Sequence, residues 1–272
     1  MKKFQGMLFC TDLDGTLYKS DKTVSKQNLD AIEYFKSEGG LFTFITGRPA
    51  VISTHVYNII NPNAPFGCFN GAGIYDAKQG KYLWNMSLPE AAEELVLAVE
   101  QALPQMGIQL NTNENIYFYK DNAAMVRFRE LTGAENLYND YSAIKDSMIK
   151  VVFAHTEQEQ MDTLAQLLHS HPKADRFDFI RSERTLYEII PKGASKGGAL
   201  CKMAELLGID INRTIAVGDY NNDVSMIKSA GVGFAVSNAV PEAKVAADYI
   251  TLSNNEHAIA AIIDGLDKGK YL

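Results

Sequence analysis

The chain has 272 residues, 46% hydrophobic and 22% charged, so it carries apolar material for a substantial core and falls outside the disordered, charge-rich class. Its 26 Lys and Arg stand against 33 Asp and Glu, a formal net charge of -7 that repels polyphosphate backbones and anionic lipid surfaces, so nucleic acid is not expected as a partner. No apolar run reaches the ~18 residues of a membrane span and the N-terminal segment lacks a cleavable signal pattern, so neither a membrane location nor export is expected. Cys10, Cys68 and Cys201 form no CxxC pair and no metal-finger spacing, which predicts free thiols in a reducing compartment, the cytoplasm.

In chain order, the run at 7–10 predicts a first strand ending at Cys10. Residues 23–39 follow with Leu29, Ile32, Tyr34 and Phe35 set among polar residues, an amphipathic helix stopped by Gly39-Gly40. Residues 41–45 predict a second strand and 66–69 a shorter third. Runs apolar on both faces predict strands buried on both faces, as in a parallel sheet wrapped by helices. Between 87 and 184 the pattern changes to half-exposed strands at 108–111, 116–119, 150–154, 177–180 and 185–189, with helices at 90–103 and 157–169 on one side. Ser87-Leu88-Pro89-Glu90 has the spacing of a capping box for the first of these helices. The first pattern then returns with a helix at 196–207 and a buried strand at 214–218. The fold class is therefore α/β: a Rossmann-like parallel-sheet core of residues 1–84 and 188–272, with an inserted α+β cap at 85–187.

Chemistry-bearing residues fall at strand ends, where open α/β sheets bind ligands. Asp12 and Asp14, in Asp12-Leu13-Asp14-Gly15-Thr16, follow the first strand directly. Asp14-Gly15 alone reads as a turn, but a carboxylate beside a buried strand is costly without compensation, and a metal cation compensates it. Gly218-Asp219-Tyr220-Asn221-Asn222-Asp223 offers two carboxylates and two amides after another buried strand, hard oxygen ligands suited to Mg²⁺. It is not an EF-hand loop, since Val224 stands where the sharp-turn glycine is needed and Ala230 where the bidentate glutamate belongs. An Asn/Asp-rich helix cap accounts equally well for Asn221 and Asn222. Thr46-Gly47-Arg48-Pro49 offers a hydroxyl and an unobstructed amide at a helix start, a seat for phosphate or an ordinary cap. Lys196, a cation near a helix start, opposes the helix dipole, which hints at a nearby anion, although a solvated surface lysine is the commoner case.

Together, Asp12-Leu13-Asp14-Gly15-Thr16, Thr46-Gly47-Arg48, Lys196 and Gly218-Asp219-Tyr220-Asn221-Asn222-Asp223 resemble, in order and spacing, the four motifs of the haloacid dehalogenase-like hydrolases. Asn70-Gly71-Ala72 and the position of the insert make the chain similar to the Cof-type branch with a large α/β cap. The resemblance implies a Mg²⁺-dependent phosphatase acting on a small phosphomonoester, a sugar phosphate or phosphorylated cofactor, through an aspartyl phosphate. It implies Asp12 as nucleophile, Asp14 as acid and base, and Lys196 as the charge-balancing catalytic cation. Mg²⁺ would be held by Asp12, Asp14 through its main chain, and Asp219, with Asp223 behind them. Thr46, Gly47, Asn70 and Asn222 would bind the phosphate. The cap would choose the substrate and close over the site. A phosphomutase acting on a sugar phosphate and a non-catalytic phosphometabolite-binding protein are the alternatives, and the oligomeric state is not readable.

Other chemistries lose support. No cysteine has an arginine six positions later, no GxxxxGK[ST] loop exists, and Gly71-Ala72-Gly73-Ile74-Tyr75-Asp76 lacks the third glycine of a dinucleotide fingerprint. His169 and His171 read as a polar helix terminus rather than a metal site. Trp84, Tyr117, Phe118 and Tyr119 read as strand aromatics of a core, and Lys150, Arg127 and Arg129 as exposed cations.

Overall fold

The computed structural model describes residues 2–132 and 147–271, which divide into two compact units, Met1–Arg48, Ser53–Trp84 and Ser195–Leu272 against Pro49–Ile52 and Asn85–Ala194. In chain order the first unit supplies β1 (Leu8–Thr11), α1 (Lys26–Ser37) and β2 (Leu41–Phe44). Then come α2 (Ala50–Ile60), β3 (Phe66–Cys68), β4 (Gly73–Asp76) and β5 (Lys81–Asn85). The insert follows with α3 (Ala92–Ala102), β6 (Gly107–Thr112), β7 (Ile116–Lys120), α4 (Ala123–Thr132), β8 (Met148–Ala154), α5 (Gln158–Ser170), β9 (Phe177–Glu183) and β10 (Leu186–Pro191). The chain returns through α6 (Lys196–Leu207), β11 (Thr214–Gly218), α7 (Val224–Ser229), β12 (Val232–Ala235), α8 (Pro241–Ala246), β13 (Tyr249–Ile250) and α9 (Ala258–Asp267).

Five strands of the first unit form a parallel sheet in the order β13-β12-β11-β1-β2. Alternate side chains of β1 serve opposite layers. Leu8 and Cys10 pack with Ala199, Leu200 and Met203 of α6, while Phe9 meets Phe35 of α1 at 5.8 Å between ring centroids. Such side chains contribute about 1.5–3 kcal/mol each on full burial, which explains why the runs are apolar on both faces. Because β1, β2 and β11 are parallel neighbours, the residues that follow them, Asp12, Thr46 and Asp219, emerge at one end of the sheet.

Two local features differ from the sequence expectation. The run at 66–69 yields β3, which meets the parallel sheet through a single bridge from Gly67 to Ile45 and through the Phe66 ring stacked on Phe44 at 4.7 Å between centroids. β3 otherwise pairs antiparallel with β4 in a small sheet ordered β3-β4-β5, because Phe69, Asn70 and Gly71 all adopt left-handed backbone and reverse the chain. The Ser87–Glu90 capping spacing is not used. Residue 91 caps α3 without a side-chain bond, after a turn in which the Ala92 and Glu93 amides donate to Pro89 and Glu90.

The insert's sheet is antiparallel, ordered β7-β6-β8-β10-β9. Leu95, Val96 and Val99 of α3 and Met161, Leu164 and Leu168 of α5 bury one of its faces, with Leu110, Val151, Phe153 and Ile189. The expectation of half-exposed strands with helices on one side fails for its centre, where β6 and β10 are buried at every position. The reason is α4, whose Ala124 and Met125 pack on the opposite face against Phe118 and Val152. That helix mixes Arg127, Arg129 and Glu130 among its apolar residues and gave no clear period in the sequence. Lys150 and Arg129, expected as exposed cations, are ion-paired: Lys150 Nζ lies 3.1 Å from Glu188 Oε1 with both side chains buried, and Arg129 Nη1 lies 2.6 Å from Asp121 Oδ2. Tyr117 and Phe118 belong to the two buried clusters. His169 meets the Tyr187 hydroxyl at 3.1 Å. The crossing out of the insert lies at 194/195 because β10 runs to Pro191 within this sheet. Among the described residues no helix is long and apolar enough to cross a membrane.

Candidate active site

β1 ends at Thr11, so Asp12 and Asp14 do not continue along one strand face. The Asp12 amide still donates to the Val217 carbonyl of β11, after which residues 13–17 form a tight turn with Gly15 at φ 81°. The two carboxylates therefore point to different partners. Asp12 Oδ1 accepts from Lys196 Nζ at 2.6 Å, and the same ammonium donates to Asp223 Oδ1 at 2.6 Å. Asp14 instead is held by Arg48, whose Nη2 reaches both carboxylate oxygens at 2.9 and 2.7 Å, and by Lys22 Nζ at 2.9 Å.

Lys196 reaches Asp12 because Ser195 caps α6, its hydroxyl accepting from the Gly198 amide, and so fixes where the helix begins. The start of this helix packs on the 69–71 turn so closely that a Cβ at Gly71 would come within 2.0 Å of the Ser195 carbonyl oxygen. Asp223 anchors the loop after β11, since its Oδ2 accepts from the amides of Asp219 and Tyr220 at 2.9 and 3.0 Å. Asp219 Oδ1 accepts from the Thr16 hydroxyl at 2.8 Å.

One oxygen from each of Asp12, Asp219 and Asp223 lies within 4.8 Å of the others, with Lys196 the cation paired to two of them. Burial drives the Asp12 carboxyl well above the usual carboxylate range despite the attraction of Lys196. Burial and the Asp223 charge push Asp219 up to about 6. Burial works against the Lys196 ammonium, but Asp12 and Asp223 outweigh it and keep it protonated. Three carboxylates against one ammonium leave an excess of negative charge in a low-dielectric place, and the donors are all hard oxygens. This set fits Mg²⁺ in both charge and ligand type. Burial alone would raise Asp14 too, but Arg48 and Lys22 outweigh it and hold its carboxyl below the usual value. The Asp14 carboxylate is not part of the acidic cluster among the described residues.

Thr46, buried, sits two residues beyond β2, and its hydroxyl accepts from the Arg48 amide at 3.2 Å. Its carbonyl accepts from the Asn70 amide at 3.0 Å. The Asn70 side chain lies against Gly47 and accepts at Oδ1 from Asn222 Nδ2 at 3.0 Å. The fold thus assembles Asp12, Lys196, Asp219 and Asp223 as one group and Thr46, Gly47, Asn70 and Asn222 as another. Thr16 and Arg48 lie within the sequence motifs, where their residue types alone assign neither a role, and Lys22 carries no local signal at all.

A family model for haloacid dehalogenase-like hydrolases matches residues 9–263. The chain belongs to that family. This hydrolase is 30% identical to the Bacillus subtilis protein YxeH, provisionally named a phosphatase, over 95% of the chain and 97% of the relative. It is 27% identical to YitU of the same organism, named a 5-amino-6-(5-phospho-D-ribitylamino)uracil phosphatase, over 94% of the chain and 96% of the relative. A solved haloacid dehalogenase-like hydrolase from Bacteroides thetaiotaomicron superposes with a TM-score of 0.86 at 26% identity, covering 95% of this chain and 98% of that one.

Proposed function

We propose that this hydrolase is a Mg²⁺-dependent phosphatase of small phosphomonoesters that works through an aspartyl phosphate on Asp12. The observation carrying this reading is the buried Asp12–Lys196–Asp223 triad beside Asp219, which joins a nucleophilic carboxylate to a site short of positive charge. A phosphate dianion and an attacking carboxylate repel one another, and the site must cancel that charge. Mg²⁺, held by Asp12, Asp219 and the Asp14 main chain with Asp223 orienting the loop, would supply a Lewis acid that offsets the charge on the transferring oxygens.

The protein's own residues account for the rest. Asp12 attacks phosphorus while the bond to the leaving oxygen breaks, and Asp14 delivers a proton to that oxygen. In the second half Asp14 takes a proton from water as the water oxygen attacks phosphorus and the bond to Asp12 breaks, releasing inorganic phosphate. Lys196 holds Asp12 in line and adds positive charge, while the Thr46 hydroxyl and Gly47 amide hydrogen-bond the phosphoryl oxygens, with Asn70 and Asn222 bordering them.

The core carries this chemistry and the insert selects the substrate, a sugar phosphate or phosphorylated cofactor in the cytoplasm. The name of YitU adds its ribitylamino-uracil phosphate to that set. The test is phosphate release from a panel of sugar phosphates, phosphorylated cofactors and para-nitrophenyl phosphate, with Mg²⁺ or with chelator, beside Asp12→Asn. Turnover requiring both Mg²⁺ and Asp12 supports the reading. Release that survives Asp12→Asn sinks it, and isomer formation without phosphate release identifies a mutase.

A further inference from the structure

We propose that Arg48 and Lys22 are positioning residues for Asp14, aiming its carboxylate at the water that hydrolyses the aspartyl phosphate. This rests on the reading of Asp14 as base. The two cations come from independent places. Arg48 follows β2, and its guanidinium lies over the Tyr18 ring, 5.8 Å from the centroid. Lys22 sits in left-handed backbone at φ 63° in a turn closed by the Lys22 amide on the Lys19 carbonyl and the Lys19 amide on the Thr23 carbonyl, both at 2.9 Å. Asp21 ties that turn further by accepting from the Thr23 amide and hydroxyl at 3.0 and 2.6 Å.

The contact with Arg48 is a fork. Nη2 spans both oxygens and Nε lies 3.2 Å from Oδ2, so the guanidinium sets the plane of the carboxylate, and Lys22 adds a third direction at Oδ1. A single point charge would leave the carboxylate free to rotate, and two cations on a partly exposed acid add little stability. Orientation is what this arrangement supplies. The water must meet one particular oxygen, and an aim lost by about 1 Å costs on the order of a hundredfold in rate. In this half-reaction the proton goes from water to Asp14 while the new P–O bond forms and the bond to Asp12 breaks. The leaving group has already departed, so the effect is the same for every substrate.

The experiment follows para-nitrophenyl phosphate turnover by the full chain with Mg²⁺, comparing wild type, Arg48→Ala, Arg48→Lys, Lys22→Ala, Asp14→Asn and the Asp14→Asn/Arg48→Ala double variant. Thermal unfolding of each controls for folding. Nitrophenolate is an easy leaving group, so kcat/KM reports formation of the aspartyl phosphate and kcat its hydrolysis. Arg48→Ala is expected to lower kcat about tenfold or more, lower KM with it and release a burst of one nitrophenolate per enzyme. Lys22→Ala does the same more weakly, Arg48→Lys recovers part of the loss, and Arg48→Ala adds less than about twofold to Asp14→Asn, as expected of residues acting as one unit. Equal losses in kcat and kcat/KM for Arg48→Ala, or full additivity with Asp14→Asn, overturn the proposal. An Asp14→Asn enzyme with no burst removes Asp14 as base and the proposal with it, whereas a burst in Asp14→Asn without one in Arg48→Ala removes the positioning role alone.

Discussion

The Lys196 ammonium donates to Asp12 at 2.6 Å although 184 residues separate the two in sequence, and the lysine side chain is only 1% exposed. Burying that ammonium is tolerable only because Asp12 and Asp223 both face it. Truncating one member of a buried pair leaves uncompensated charge and costs about 3–5 kcal/mol. Lys196→Met is accordingly expected to lower the urea midpoint by that equivalent and to abolish turnover, while Lys196→Met/Asp223→Asn recovers part of the stability and none of the activity.

Magnesium should stabilise this protein as well as activate it. The excess negative charge around Asp12, Asp219 and Asp223 disappears when a divalent cation binds. Binding at one hundred times Kd adds about 2.7 kcal/mol, a rise in Tm of roughly 5–10 °C at ~2–4 °C per kcal/mol for a chain of this size. Differential scanning fluorimetry with Mg²⁺ or chelator checks this. Asp219→Asn should abolish the increment while raising the Tm of the metal-free protein, because it removes one of the crowded charges.

Gly15 has φ 81°, and a Cβ there would lie 2.4 Å from Asp219 Oδ2. Gly15→Ala therefore meets two penalties, left-handed backbone at about 1–2 kcal/mol and crowding at about 1–3 kcal/mol. Relief of the clash must displace Asp219. The expected outcome is a lower Tm together with a Mg²⁺ requirement shifted to higher concentration, read by titrating activity with the metal.

In the insert, the Lys150–Glu188 pair at 3.1 Å crosses β8 and β10 within the buried centre of the sheet. Glu188→Ala should cost about 3–5 kcal/mol, and the apolar double replacement Lys150→Met/Glu188→Leu should regain most of it, since a well-packed apolar pair matches a buried ion pair in stability. Chemical unfolding followed by circular dichroism separates the two outcomes.

The sequence was most legible where local rules act alone. β1, β2 and β11 follow from largely apolar runs of strand length, and the helix at 196–207 appears with the predicted bounds. Helix α4 was not legible, because its burial comes from packing on one sheet face rather than from a strong period of its own. The capping spacing at Ser87–Glu90 misled for a related reason: a short polar pattern states what a helix start can use, and the tertiary path chose another turn.

Hydrophobic periodicity and glycine-punctuated turns are read over a few residues, and they suffice to place the parallel-sheet core, the insert, Asp12, Thr46 and Asp219 after strands, and Lys196 at a helix start. The divergence of Asp12 and Asp14, one toward Lys196 and the other toward Arg48 and Lys22, arises from long-range packing. Partners lying 8, 34 and 184 residues away are chosen by how the strand ends and the loop at 19–23 meet in space, and no local pattern records that meeting.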